Sequence, residues 1–312
     1  SKSFSVYNLA ITPKLPEQNF CDQFGFQKTR YVFNFKSLIF KKFDFEDFIY
    51  RQVFHSDLLE INKMKCSINL NKTFKINTLR ARKFPQQIPF ELALPLTINK
   101  IKVINSEINY SEILPQNNLR WHVSFNKLKG EIDHFTNEKK EIIQNKLLKI
   151  DFDFLLNNAA KTNLSLGLFY ADNKRSFYCN GEMGAYNLAK LNGILKPLAK
   201  IEIANCKLKQ LQVKLKGDEM GVNANISMKY KNLRVRVLEF DNREKQLKQH
   251  KLYSFLANVM VLSNDNPSVY GKFIHPQFYL KRKPQQGFFN LIWKSILKGC
   301  KESIGYSEKV EH

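Results

Sequence analysis

Alternation with period two runs through nearly the whole chain, and it leaves few folds open. In LQVKLKGDEMGVNANISMKYKNLRVRV, residues 211–237, Leu211, Val213 and Leu215 share one face of an extended segment, and Gln212, Lys214 and Lys216 share the other. Past turn signals between 217 and 221, Val222, Ala224, Ile226 and Met228 continue the oily face. After Lys231 and Asn232 it resumes with Leu233, Val235 and Val237 against Arg234 and Arg236. The pattern predicts a three-strand meander with one apolar and one cationic face.

The same alternation occupies SFSVYNLAI, RYVFNFKSLIF, EINKMKCSINL, TINKIKVINSEINYSEI, RWHVSFNKLKGEID, KLLKIDFDFLL, NLSLGLFY, RSFYCNGEM and AKIEIANCKLKQLQVKLKG. Turn residues separate many of these, so the chain is expected to be mainly β and largely antiparallel. Helical spacing is brief. Residues 43–54 place Phe45, Phe48, Ile49 and Gln52 on one side, and residues 186–200 do so with Leu188, Leu191, Leu195 and Leu198 until Pro197 intervenes. The clearest helix lies near the C-terminus, in 287–305, where Phe289, Ile292, Trp293, Ile296 and Cys300 form an apolar stripe, widened by Phe288, Leu291 and Leu297, with Asn290 and lysines opposite. Such a helix plugs the end of a sheet or faces a membrane or partner. Prolines at 85 and 89, and RKPQQG at 282–287, interrupt the ladder. The expected parts are therefore 1–85, an N-terminal stretch of sheet; 86–283, the main sheet; and 284–312, the amphipathic helix and tail.

With 50 Lys and Arg against 28 Asp and Glu, the formal charge is +22, which attracts polyanions, an anionic membrane surface among them. Basic clusters at RARK (80–83) and KRK (281–283) sit in no nucleic-acid-binding module, and no nucleic-acid partner is expected. Five cysteines without a CxxC pair imply neither a disulfide framework nor a zinc site. Cys66 and Cys179 share strand parity with apolar neighbours and read as small buried hydrophobes. Phosphate-binding glycine loops, HExxH and GxSxG are all missing from the sequence, so no enzyme and no cofactor is expected. No window is long and apolar enough for a membrane-spanning helix, and the opening residues, SKSFSVYNLAITP, read as a strand rather than a signal peptide.

An apolar sheet face must be covered by helices, by a second sheet or by a guest. Helices are few here, which leaves a two-sheet sandwich, a closed barrel, or an elongated, curled sheet whose inner face forms a hydrophobic groove for acyl chains; the last is the fold expected here. Each CH₂ kept from water is worth about 0.8 kcal/mol, which a continuous apolar track supplies without chemistry. The candidate groove residues are Leu211, Val213, Leu215, Val222, Ile226, Met228, Leu233, Val235 and Val237, joined by Leu164, Leu166, Leu168, Ile101 and Val103 from neighbouring strands.

The order and spacing of TINKIKVINSEINYSEI, VSFNKLKGEIDHFTN, SLGLFYADNKRSFYCNGEMG, LNGILKPLAKIEIANCKLKQLQVKLKG, NANISMKYKNLRVRVL and GFFNLIWKSILKGCKESIG resemble the C-terminal region of AsmA-like envelope proteins of diderm bacteria. The resemblance covers roughly residues 30 to 305 and rests on degenerate patterns rather than an invariant motif. It implies a periplasmic β-groove, anchored in the inner membrane by an N-terminal helix that this sequence lacks, which moves phospholipid toward the outer membrane. The alternative is an envelope scaffold that binds a partner protein and carries no lipid.

Overall fold

The structure, a computed structural model, describes residues 2–77, 82–115, 118–170, 172–241, 246–249 and 262–306; Arg80 and Ala81 of the RARK cluster lie outside them. Fourteen strands form one sheet: β1 (Ser3–Ile11), β2 (Arg30–Phe43), β3 (Phe54–Asn62), β4 (Lys65–Asn71), β5 (Leu96–Ile113), β6 (Arg120–Thr136), β7 (Leu147–Leu156), β8 (Ala160–Phe169), β9 (Phe177–Met183), β10 (Tyr186–Asn187), β11 (Ile201–Gly217), β12 (Gly221–Asp241), β13 (Gln246–Gln249) and β14 (Gln277–Lys281). Among the described residues five α-helices accompany them: α1 (Glu17–Phe20), α2 (Phe45–Arg51), α3 (Lys139–Gln144), α4 (Asn192–Ala199) and α5 (Phe288–Ser303). The mainly β, largely antiparallel fold with a C-terminal amphipathic helix is thus present. Sheet order follows chain order closely, β1-β2-β3-β5-β6-β7-β8-β9-β11-β12-β13, with β4 between β2 and β5 and β14 beside β12. Its parallel pairings are β3 with β5 and β4 with β5, made where the chain leaves the ladder after β4 and returns through short 3₁₀ turns at Pro85–Gln87 and Pro89–Glu91.

Residues 211–237 form two strands rather than three. Met228 and Leu233 belong to the single 21-residue strand β12, and the expected turn at Lys231 and Asn232 is a kink in it, with Asn232 at φ 59°. The pairing of β11 with β12 shifts there, so the even-numbered residues Val222 to Met228 and the odd-numbered Leu233 and Val235 all end up buried. A bulge adds one residue and inverts the parity of the strand beyond it, and asparagine tolerates the left-handed conformation this needs. Asn105 (φ 45°) has the same conformation in β5, beside a register shift against β6.

Cross-strand pairing converts the alternation into rows. Phe4, Phe40, Leu59, Ile101, Ile132, Ile150, Leu166, Cys179, Leu215, Ala224 and Phe278 are successive partners across eleven strands, an unbroken apolar line. At about 4.8 Å per strand this line is roughly 48 Å long. The neighbouring row on the opposite face runs Glu60, Lys102, Glu131, Asp151, Ser165, Asn180, Lys214 and Asn225. There Lys100 pairs with Glu131 and with Asp133 (2.8 Å), and Lys149 pairs with Asp151 (2.7 Å). One face is oily and the other ionic, as the sequence predicts.

The sheet curls. Ile194 of α4 packs against Trp121 of β6, while the side chain of Asn192 hydrogen-bonds both backbone groups of Ile203 in β11 at 2.8 and 2.9 Å. Those strands lie four positions apart, about 19 Å in a flat sheet, yet the helix between them is only about 12 Å long. Helix α5 lies on β12. Its buried face is Phe288, Leu291, Ser295, Gly299 and Ser303, with Ile292, Ile296 and Cys300 of the expected stripe packed beside it, because small residues permit close approach. A Cβ on Gly299 would fall 2.2 Å from Cγ1 of Ile226. Phe84 enters from the segment before β5 and meets Phe177 and Phe288 edge-on at 5.9 and 5.2 Å, which ties α5, β9 and that segment together.

Candidate functional site, an apolar groove

Twelve of the fourteen predicted groove residues are buried, the exceptions being Leu164 and Val237, which are half-buried. Leu215, Val222 and Ile226 are completely covered, and Leu211, Val213, Met228, Leu233, Val235, Leu166 and Leu168 join them in one core with Phe84, Phe288 and Leu291. Ile101 lies in an adjoining cluster with Leu59, Leu96 and Ile98, and Val103 is likewise buried. The expectation that a guest must complete this face is therefore corrected for β9 to β12. There the chain completes it, since a sixteen-residue helix and the Phe84 segment are wide enough to cover the strands beneath them.

The apolar rows differ in the remaining half. Phe4, Phe40, Ile132 and Ile150 in the first row, and Val6, Leu38, Ile61, Phe152 and Leu164 in the next, are only half-buried. Ile132 and Phe135 pack against both the large core and the Leu59 cluster, so this floor is continuous with the covered part. The structure thus shows an apolar track closed at the β12 end and partly open around Phe4, Phe40, Ile132 and Ile150, with Leu59, Ile101 and Val103 buried between them. Sequence periodicity marks every one of these residues as inward-facing, but it carries no signal for where α5 lies and so cannot say which half stays open.

Of the predicted membrane- or partner-facing residues, Phe289 (69% exposed) and Trp293 (36%) point outward, while Ile292 and Ile296 are half-buried against the core. The helix expected at residues 43–54 forms as α2. Its Asp44 caps Asp47 N–H at 2.9 Å, and Gln52 closes it in the left-handed conformation, but its apolar residues Phe45, Phe48 and Ile49 are exposed.

Two polar clusters escaped the sequence reading, because each joins residues far apart in the chain. Glu112 is buried, pairs with Lys72 at 2.7 Å, and accepts hydrogen bonds from Tyr110 Oη (2.7 Å) and Trp121 Nε1 (3.3 Å). Burial beside the Glu112 carboxylate raises the pKa of Tyr110, which stays a hydrogen-bond donor. At the opposite ends of the strands, His55 pairs through Nε2 with Glu138 and lies 3.6 Å from Asp47 through Nδ1, and Thr97 Oγ1 donates to Glu138 at 2.8 Å. This cluster latches α2 and the start of α3 to the sheet. Burial opposes ionisation of Glu138, but hydrogen bonds from His55 and Thr97 outweigh it and hold its pKa below the ordinary value. A depressed carboxylate contributes stability above its unfolded pKa, about 4.3, and the contribution is lost as pH falls through the folded value. Amide exchange in α2 and α3 is accordingly expected to accelerate below about pH 4, ahead of exchange in β11 and β12. Equal acceleration throughout the sheet would mean that the latch has no local effect.

The buried cysteines are poor nucleophiles. Burial pushes the Cys179 and Cys206 thiols up to about 12 and Cys66 up to about 11, far from thiolate reactivity. Among the described residues no group of three metal-binding side chains occurs, and no helix is long and apolar enough to cross a membrane. A surface cavity of about 380 Å³ is lined by Leu92 to Pro95 and Asn137 to Lys140, and a second of about 330 Å³ lies beside Asn232 and Asp265; of the predicted track, only Leu233 touches either. No family model, no curated protein and no solved structure matches the chain.

Proposed function

We propose that the half-open floor between β1 and β8 holds phospholipid acyl chains without catalysis, and that the protein passes lipid between the membranes of a bacterial envelope from a periplasmic position. The carrying observation is the apolar row through eleven strands, in which Phe4, Phe40, Ile132 and Ile150 are left only half covered. Half-covered side chains along an apolar line are what an acyl chain would complete, whereas the closed part near β12 acts as a stop. The AsmA resemblance supports the same reading.

The test is lipid content. Protein purified without detergent is expected to yield about one phospholipid or more per chain on extraction and mass spectrometry. Ile150→Asp puts a charge on the open floor and is expected to lower that yield several-fold, with a melting temperature that moves by only a few degrees. A folded wild-type protein free of lipid sinks the proposal. It would leave the second reading, an envelope scaffold that binds a partner protein, which the self-filled half of the track favours.

A further inference from the structure

At one rim of the sheet β2, β6 and β8 finish and β3, β5 and β7 begin, and the connections there carry an unusual load of exposed apolar side chains. Ile49 (67% exposed) and Tyr50 (83%) stand on α2, Ile88 (55%) and Phe90 (50%) on the segment before β5, Ile143 (74%) on α3, and Met220 (59%) on the turn between β11 and β12. These four connections are spread along the rim from β3 to β12, seven strand spacings, or about 34 Å. Away from this rim, large exposed apolar groups among the described residues include Ile11, Tyr31 and Ile76 near one corner and Val269 and Tyr270 on the connection before β14. Lys139, Lys140 and Lys146 flank Ile143, Arg51 ends α2 and Lys83 precedes the Ile88 segment; Lys140, Arg51 and Lys83 pair with Glu138, Asp47 and Glu91, and the chain as a whole carries +22.

We infer that this rim docks on an anionic lipid bilayer, with the side chains of α2, α3 and the Ile88 segment entering the headgroup layer. Four separate protrusions, with one or two oily tips each among both basic and acidic groups, form no single flat patch for a folded protein, whereas a fluid surface adapts to all of them. Net positive charge supplies the complementary attraction to anionic headgroups. Exposed Phe289, at the start of α5, stands beside the same rim, since residues 282–284 pair with Met220 and Arg82. The inference stands apart from the groove reading, because a protein can dock in this way whether or not it carries lipid.

Flotation with phosphatidylcholine vesicles, with and without phosphatidylglycerol, tests it. The wild-type chain is expected to float with the anionic vesicles, and less so as salt rises. Ile49→Asp with Tyr50→Asp, and separately Ile143→Asp, should each weaken this by about tenfold or more without changing the melting curve, since all three side chains are exposed. Ile76→Asp on the opposite rim should float as the wild type does. Absence of wild-type flotation, equal loss from Ile76→Asp, or undiminished binding by the rim variants overturns the inference. So does a rim variant whose only effect is to dissociate a dimer. Lipid content measured before vesicles are added reports on the groove separately.

Discussion

Ile226→Asp is expected to unfold the protein at ordinary temperature rather than to produce a folded chain with a blocked track. Ile226 is completely buried, and α5 passes so close that Gly299 is the residue opposite it. A carboxylate there has neither water nor a cation to meet, and the change combines lost apolar burial with an unpaired charge, a cost of more than about 4 kcal/mol. Circular dichroism and urea titration check this directly. A cooperative transition within about 1 kcal/mol of the wild type would mean that α5 is not seated on β12. The contrast with Ile150→Asp is the useful one, because the two residues occupy the same inner face and differ in whether the chain covers them.

The second large effect is expected at Lys72. Replacing it with Met leaves Glu112 buried with two hydrogen-bond donors but no cation, and breaking a buried pair on one side costs about 3 to 5 kcal/mol. Adding Glu112→Leu to Lys72→Met should recover much of the loss, because the orphaned charge goes with it. Thermal melts of the two single variants and the double variant decide the matter. If Lys72→Met alone costs less than about 1 kcal/mol, the pair is a solvated surface contact instead.

Period-two alternation made the strands legible because burial on one face selects residues at every second position, and Ile101, Ile132, Ile150 and Leu166 each show it within their own segment. Strand boundaries were less legible. Asn232 reads as a turn residue, and the left-handed conformation that makes it one serves here as a kink inside β12. The seating of α5 was only partly legible, for a different reason. Its oily contacts Phe288, Leu291, Ile292 and Ile296 belong to the apolar stripe, but Ser295, Gly299 and Ser303, which complete the buried face, are discarded by a count of oily residues, although small side chains are what allow a helix to approach a sheet closely. Glu112 and Lys72 meet only after β4 pairs with β5, and no local pattern announces a partner forty residues away.

Strand order that follows chain order has a consequence for biosynthesis. Nearly every strand pairs with one already made, so the sheet can zip up in step with translation from β1 toward β12. The cover cannot. Arg282 reaches the carbonyl of Arg82 across 200 residues, and α5 emerges after all fourteen described strands. Between completion of β12 and arrival of α5, we expect Leu215, Val222 and Ile226 to be bare on a nascent chain, an interval in which a chaperone, or a lipid, can occupy the place the helix will take.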